Sequence, residues 1–223
     1  MVIMATRKTL HLHEEILLLA LHDDKGTIEV GSMYAYAVGG ALLAELVVRG
    51  RVELTGPEKK RMVELVDRKP IGAPLLDESL TRIANAKRRA SVGTWVSRLA
   101  GSKKLRDRLA DGLCQRGILR AEEKEVLLVF KRRTYPALDP EPESDIVERL
   151  RSTIFTDADV DARTVVLLSL AEAAGLLHMV FDKKALKARR ERIRALVEQE
   201  TLGKAVTSAI EAVQAAMMVA TIT

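Results

Sequence analysis

SMYAYAVGGALLAELVVRG, from Ser32 to Gly50, is apolar on nearly every face of the helix it would form, with Met33, Tyr34, Ala37, Val38, Ala41, Leu42, Leu43, Leu46 and Val47 spread around the axis. A helix of that kind belongs in the middle of a domain with other helices packed about it. Ser32 stands at the capping position and Gly50 just past the end. Gly39 and Gly40 would weaken the helix in isolation, which points to a neighbour lying close against that stretch of backbone.

Outward from this centre the chain reads as amphipathic helices. Before it, Leu12, Ile16, Leu19 and Ala20 recur at helical spacing and stop at the turn Asp23-Asp24-Lys25-Gly26. After it, 51–54 and 62–66 flank Thr55-Gly56-Pro57-Glu58 as a small hairpin. Three stripes follow: Leu76, Leu80 and Ile83; then Val92, Trp95, Val96 and Leu99 behind a Ser91 cap; then Leu105, Leu109 and Leu113 up to Gly117. An apolar run from Val126 to Phe130 leads to Lys131-Arg132-Arg133, expected at a basic hairpin tip, and then to Thr134-Tyr135-Pro136. Helix, turn and hairpin in that order resemble a winged helix.

Beyond the linker-like Asp139 to Ser144, the spacing predicts three more helices. Ile146, Leu150 and Ile154 line the first. Val165, Leu168, Ala171, Leu176 and His178 lie on the second, with His178 expected in the core. The third, marked by Leu186, Ile193 and Val197, carries seven cations: Lys183, Lys184, Lys187, Arg189, Arg190, Arg192 and Arg194. The fold class expected is mainly α, a central apolar helical bundle ringed by amphipathic helices with small β-hairpins. It is expected to form one domain over 10–223 behind a flexible N-terminus over 1–9.

At 223 residues, 48% hydrophobic and 30% charged, the chain can bury a core without a staple. Its one cysteine, Cys114, excludes a disulfide framework and a multi-thiolate zinc site, and reads as a small buried hydrophobe. No secretory signal is visible, and the apolar runs fall short of the ~20 residues a spanning helix needs. His11, His13, Glu14 and Glu15 offer two metal ligands but no second cluster, so they read as a surface helix start. Asp157, Asp159 and Asp161 begin like a calcium loop, yet Ala162 replaces the turn glycine, leaving an acidic helix start. No phosphate loop and no set of nucleophile, base and oxyanion hole is present, so neither enzymatic activity nor a cofactor is expected.

The informative signal is basic. A net charge of +5 and a pI of about 9.4 favour polyanionic partners. Lys103, Lys104, Arg106 and Arg108 read as one short helix on which Lys103 and Arg106, three apart, share a face. A guanidinium beside an ammonium suits a phosphate group.

Several segments, in order, resemble the Golgi phosphoprotein 3 family: Leu12 to Leu19, Leu42 to Arg51, Leu75 to Leu80, Trp95 with Leu99, Arg106 to Ala110 through to Gly117-Ile118-Leu119, and Val129-Phe130 to Tyr135-Pro136. The resemblance runs from about Leu10 to the C-terminus. It implies a mostly helical, non-enzymatic peripheral membrane protein with an exposed hairpin. Such a protein binds phosphatidylinositol 4-phosphate on the cytosolic face of Golgi membranes and holds membrane-protein cytosolic tails; the hairpin Lys131, Arg132, Arg133 would serve membrane or homo-oligomer contact. Of the family's head-group residues, the two basic ones correspond to Lys103 and Arg106. The Trp position falls at or next to Val30 and the Arg position at Gly39, so this looks like a divergent member, with prokaryotic origin one source of such divergence. The basic N-terminal tail is reduced to Arg7 and Lys8.

Two functions therefore stand open on the sequence. One is a cytoplasmic adaptor, peripheral on the cytosolic membrane face, that docks on anionic lipid through Lys103 and Arg106. The other is a winged-helix nucleic-acid binder with Arg132 and Arg133 on the wing, disfavoured because its recognition helix offers few Asn or Gln to read bases.

Overall fold

The computed structural model describes residues 9–21, 26–28, 31–57, 60–126, 130–198 and 207–215. Helix α1 spans Leu12–Ala20 and α2 spans Gly31–Val48. Strands β1 (Val52–Thr55) and β2 (Met62–Leu65) form the expected hairpin, extended by a two-residue strand β3 (Ala90–Ser91) in the order β1-β2-β3. Between them lies α3 (Pro74–Ala84); α4 (Val92–Ala100) and α5 (Leu105–Gln115) follow. Then come the hairpin of β4 (Glu122–Val126) and β5 (Phe130–Thr134), α6 (Glu141–Phe155), α7 (Ala162–Ala173), α8 (Leu177–Val180), α9 (Lys183–Ala188), α10 (Arg190–Val197) and a helical stretch over 207–215.

The apolar α2 is the centre, packed by α1, α3, α4 and α7. Residues 37–47 of it are buried, as are residues 164–171 of α7, so both helices are enclosed on all sides while α3, α4, α5 and α6 show the core one stripe each. Each buried Leu or Val side chain contributes roughly 1.5–3 kcal/mol, and one core gathers them from α1 through 207–215. Helix α2 starts at Gly31, one residue before the expected Ser32 cap. Ser91 does cap α4, accepting from the Thr94 N–H at 3.3 Å, and Asp161 caps α7 from 2.9 Å.

Gly39 explains its own presence. A Cβ there would stand 2.7 Å from the Val96 carbonyl oxygen and 3.0 Å from the Ala100 nitrogen, both backbone atoms of α4. The helices meet at that glycine. Gly39→Ala is therefore expected to destabilise the protein by about 1–3 kcal/mol in urea unfolding. Gly112→Ala, on α5 with nothing within 4 Å of the added atom, should instead raise stability by about 0.4–1 kcal/mol.

Three expectations need correction. His178 is exposed, because Gly175 at φ +72 ends the apolar helix and α8 restarts in a new direction at Leu177. The third C-terminal helix is two, α9 and α10, broken at Arg189. Lys131, Arg132 and Arg133 do not form a hairpin tip: they lie along β5, opposite Glu125, Lys124 and Glu123, in a register that pairs Val126 with Phe130. Pairing those two apolar residues keeps the ladder in register and moves the cations down the strand. Residues 127–129, and the side chains of Lys131 and Arg132, lie outside the described residues.

Candidate anion-binding site at the start of α5

The connection from α4 to α5 makes Lys103 something other than a helical neighbour of Arg106. Helix α5 begins at Leu105, and Lys104 just before it sits at φ +53, the one positive-φ residue other than glycine among the described residues. A left-handed lysine costs roughly 1–2 kcal/mol. Leu105 donates its N–H to Ser102 O at 3.1 Å, closing a turn that carries Lys103 and Lys104 exposed at the helix end. No side chain caps this terminus. Lys103, Lys104 and Arg106 thus crowd the end of α5 at which the macrodipole is already positive; Asp107 in the first turn answers Arg106, and the two lysines remain to attract an anion.

Arg106 is half-buried. Its Nε and Nη2 donate to Asp107 Oδ1 at 3.0 and 2.8 Å, and its guanidinium carbon lies 5.9 Å from the centroid of the Tyr135 ring. Burial alone would raise the Asp107 carboxyl, but Arg106 outweighs it and holds the group below its ordinary value. Tyr135, at the foot of the hairpin, is pushed up to about 12 by burial and by Asp107. Arg133 reaches the same ring at 5.5 Å and donates to Asp111 at 2.9 Å, tying β5 to α5. From α2, Tyr34 is buried with its hydroxyl unpartnered, and Arg106 and Asp107 are the charges it feels most.

Of the sequence-predicted residues, Lys103 and Arg106 come to the same helix end, and Arg133 joins them through Tyr135. Val30 lies outside the described residues. Gly39 is sealed against α4, so no arginine could stand there without moving that helix. Arg108 turns instead to Glu78 on α3.

Sequence reasoning missed a buried ionic cluster on the α1–α2–α7 face. His13 and Glu15, expected at a surface helix start, are buried, as is Glu45 of α2. Arg163 at the start of α7 donates to Glu45 at 2.9 Å, to Glu15 at 3.2 Å and to the Leu10 carbonyl at 2.8 Å. Arg149 adds a 2.6 Å bond to Glu15 and Arg49 a 2.7 Å bond to Glu45, which also accepts the Leu12 N–H at 2.9 Å. Burial would raise Glu45, but His11, Arg163 and the Leu12 N–H hold it well below the carboxylate range. Glu15 is raised by burial despite Arg163 and Arg149. His13 stacks on His11 at 5.6 Å, and burial pushes it down to about 4. The signal was in the sequence: a carboxylate inside the apolar run 33–48 must find a cation.

Among the described residues, no three His, Cys, Asp or Glu side chains gather as a metal site, and no helix is long and apolar enough to cross a membrane. Central apolar helices sheathed by others, with small antiparallel hairpins beside them, define a mainly helical fold. Residues 12–213 match the Golgi phosphoprotein 3 (GPP34) family, and the chain belongs to it. It is similar to two curated relatives, each called vacuolar protein sorting-associated protein 74. That of Eremothecium gossypii is 30% identical over 207 residues, covering 78% of this chain and 62% of that protein. That of Schizosaccharomyces pombe is 32% identical over 206 residues, covering 78% and 60%. The chain thus spans about three fifths of the length of these relatives.

Proposed function

We propose that this protein is a non-enzymatic adaptor that docks peripherally on the cytosolic face of a membrane by holding anionic phospholipid head groups at the start of α5. The observation that carries this reading is the uncapped helix end bearing Lys103, Lys104 and Arg106, with a strained lysine backbone and the unpartnered Tyr34 hydroxyl beside it. Strain and like charge crowded against a dipole are each costly, and a phosphate would relieve the second. Family membership supports phosphatidylinositol 4-phosphate as one such ligand. The closed α2–α4 contact at Gly39 removes the family's second guanidinium, so head groups of equal charge should be held with similar strength. Membrane-protein cytosolic tails and a second copy of the chain are the partners that fit the family.

Sedimentation with anionic vesicles tests the reading. The Lys103→Ala/Arg106→Ala variant should lose most of the bound fraction, and wild-type binding should fall with added salt, because exposed charges are screened over ~8 Å at physiological ionic strength. A double variant that is folded by circular dichroism yet sediments like wild type would move the site elsewhere, with the α9–α10 cations next to be replaced.

A further inference from the structure

A cleft of about 230 Å³ opens at the other end of α4, away from the α5 terminus, between β2, the end of α3 and the loop leading into β3. Its floor and walls are Val63, Leu65, Ile83 and Trp95, and its rim carries Arg88 and Arg89. The space exists because the ladder between β2 and β3 stops at Val63↔Ala90, so the chain over 86–89 diverges from Leu65. Arg89 is bonded to Glu64, whose carboxyl is held below its ordinary value by Thr55 and Arg89. Arg88 is exposed, with no carboxylate partner among the described residues. Outside the lining, the Arg98 guanidinium sits 4.9 Å from the centroid of the Trp95 ring and holds that ring in place. Around Val63, Leu65, Ile83 and Trp95 the lining therefore has two guanidiniums against one carboxylate, and Arg88 is the guanidinium left over.

We propose that this cleft binds a small amphipathic anion, a carboxylate or phosphate on an aliphatic body, with the charge at Arg88 and the body on Val63, Ile83 and Trp95. The chemistry follows from the lining: a cleft with apolar side chains on one side and a cation without a carboxylate partner on the other orients a ligand by its charged end and holds it by its apolar one. A neutral apolar ligand leaves Arg88 unanswered, and a cation is repelled by the rim. The volume suits a ligand of about ten heavy atoms, far below the size of a folded partner.

Trp95 is the only tryptophan, so its emission reports on the cleft directly. Titration with monomeric octanoate should give a saturable change in Trp95 emission in the millimolar range. Octylamine and inorganic phosphate should give none, the first for its charge and the second for want of an apolar body. Arg88→Glu should weaken octanoate at least about five-fold, whereas Arg88→Lys should stay within about two-fold; neither touches the core. Because Lys103 and Arg106 lie at the far end of α4, their double alanine variant should bind octanoate as wild type does, which separates this site from membrane docking. An equal response to octylamine, or octanoate binding unchanged by Arg88→Glu, would overturn the proposal.

Discussion

Replacing Glu45 by alanine should cost the protein about 3–5 kcal/mol and lower its melting temperature by on the order of 10 °C. The carboxylate is 1% exposed and answers the Arg163 and Arg49 guanidiniums and the Leu12 N–H together. Removing it leaves Arg163 with Glu15 as its one bonded carboxylate beside the Leu10 carbonyl and strands an amide donor inside the core, and an orphaned buried partner costs far more than the net worth of the pair. Glu45→Gln, which keeps an acceptor for Leu12 but drops the charge, should fall between wild type and the alanine variant. Glu53→Ala, at an exposed position on β1, should stay within about 0.5 kcal/mol. A scanning-calorimetry shift for Glu45→Ala no larger than that control's would mean that the cluster contributes nothing to stability.

The second large effect is on acid stability, and His13 sets it. Its folded pKa of about 4 lies below the ordinary 6.5, because burial penalises the imidazolium while Glu14 and Glu45 oppose and His11 and Arg163 assist. The unfolded chain therefore binds the proton first. Stability from this group is complete above pH 6.5 and falls as the pH drops toward 4, by an amount approaching about 3 kcal/mol at the low end. Glu45, depressed in the folded state, adds a further loss below the ordinary carboxylate range, whereas Glu15, raised by burial, takes up its proton earlier when folded and works the other way. His13→Phe should flatten urea-unfolding free energies between pH 6.5 and 4 while leaving the steeper fall at lower pH. A wild-type slope in that variant would assign the titration to another group.

These two effects mark the limits of the sequence as a guide. Helix α2 was legible because its apolar residues cover every face, and Gly39 because a helix tolerates glycine there only against a close neighbour. The β1–β2 hairpin was legible from its turn residues, but the β4–β5 register was not: the apolar run from Val126 to Phe130 reads as one strand, which pushed the expected tip onto Lys131, Arg132 and Arg133. His178 looked buried because an apolar run hides a helix end, and Gly175 was the one residue that signalled it. The pairing of Glu45 with Arg163 spans 118 residues and arises only when α2 and α7 pack, so no local spacing displays it. Lys103 and Arg106 were singled out by a helical spacing that the left-handed Lys104 breaks. What brings them to one helix end is the turn before α5.

The account rests most heavily on that helix end meeting an anionic surface. The most direct measurement is sedimentation of the intact protein with three vesicle types: phosphatidylcholine alone, and phosphatidylcholine with phosphatidylserine or with phosphatidylinositol 4-phosphate at matched charge. The account predicts no binding to the neutral vesicles and binding to both anionic types within a few-fold of each other, since Lys103, Lys104 and Arg106 supply charge while Gly39 offers no further guanidinium. Binding that is equal on neutral vesicles, or absent from both anionic ones, would contradict it.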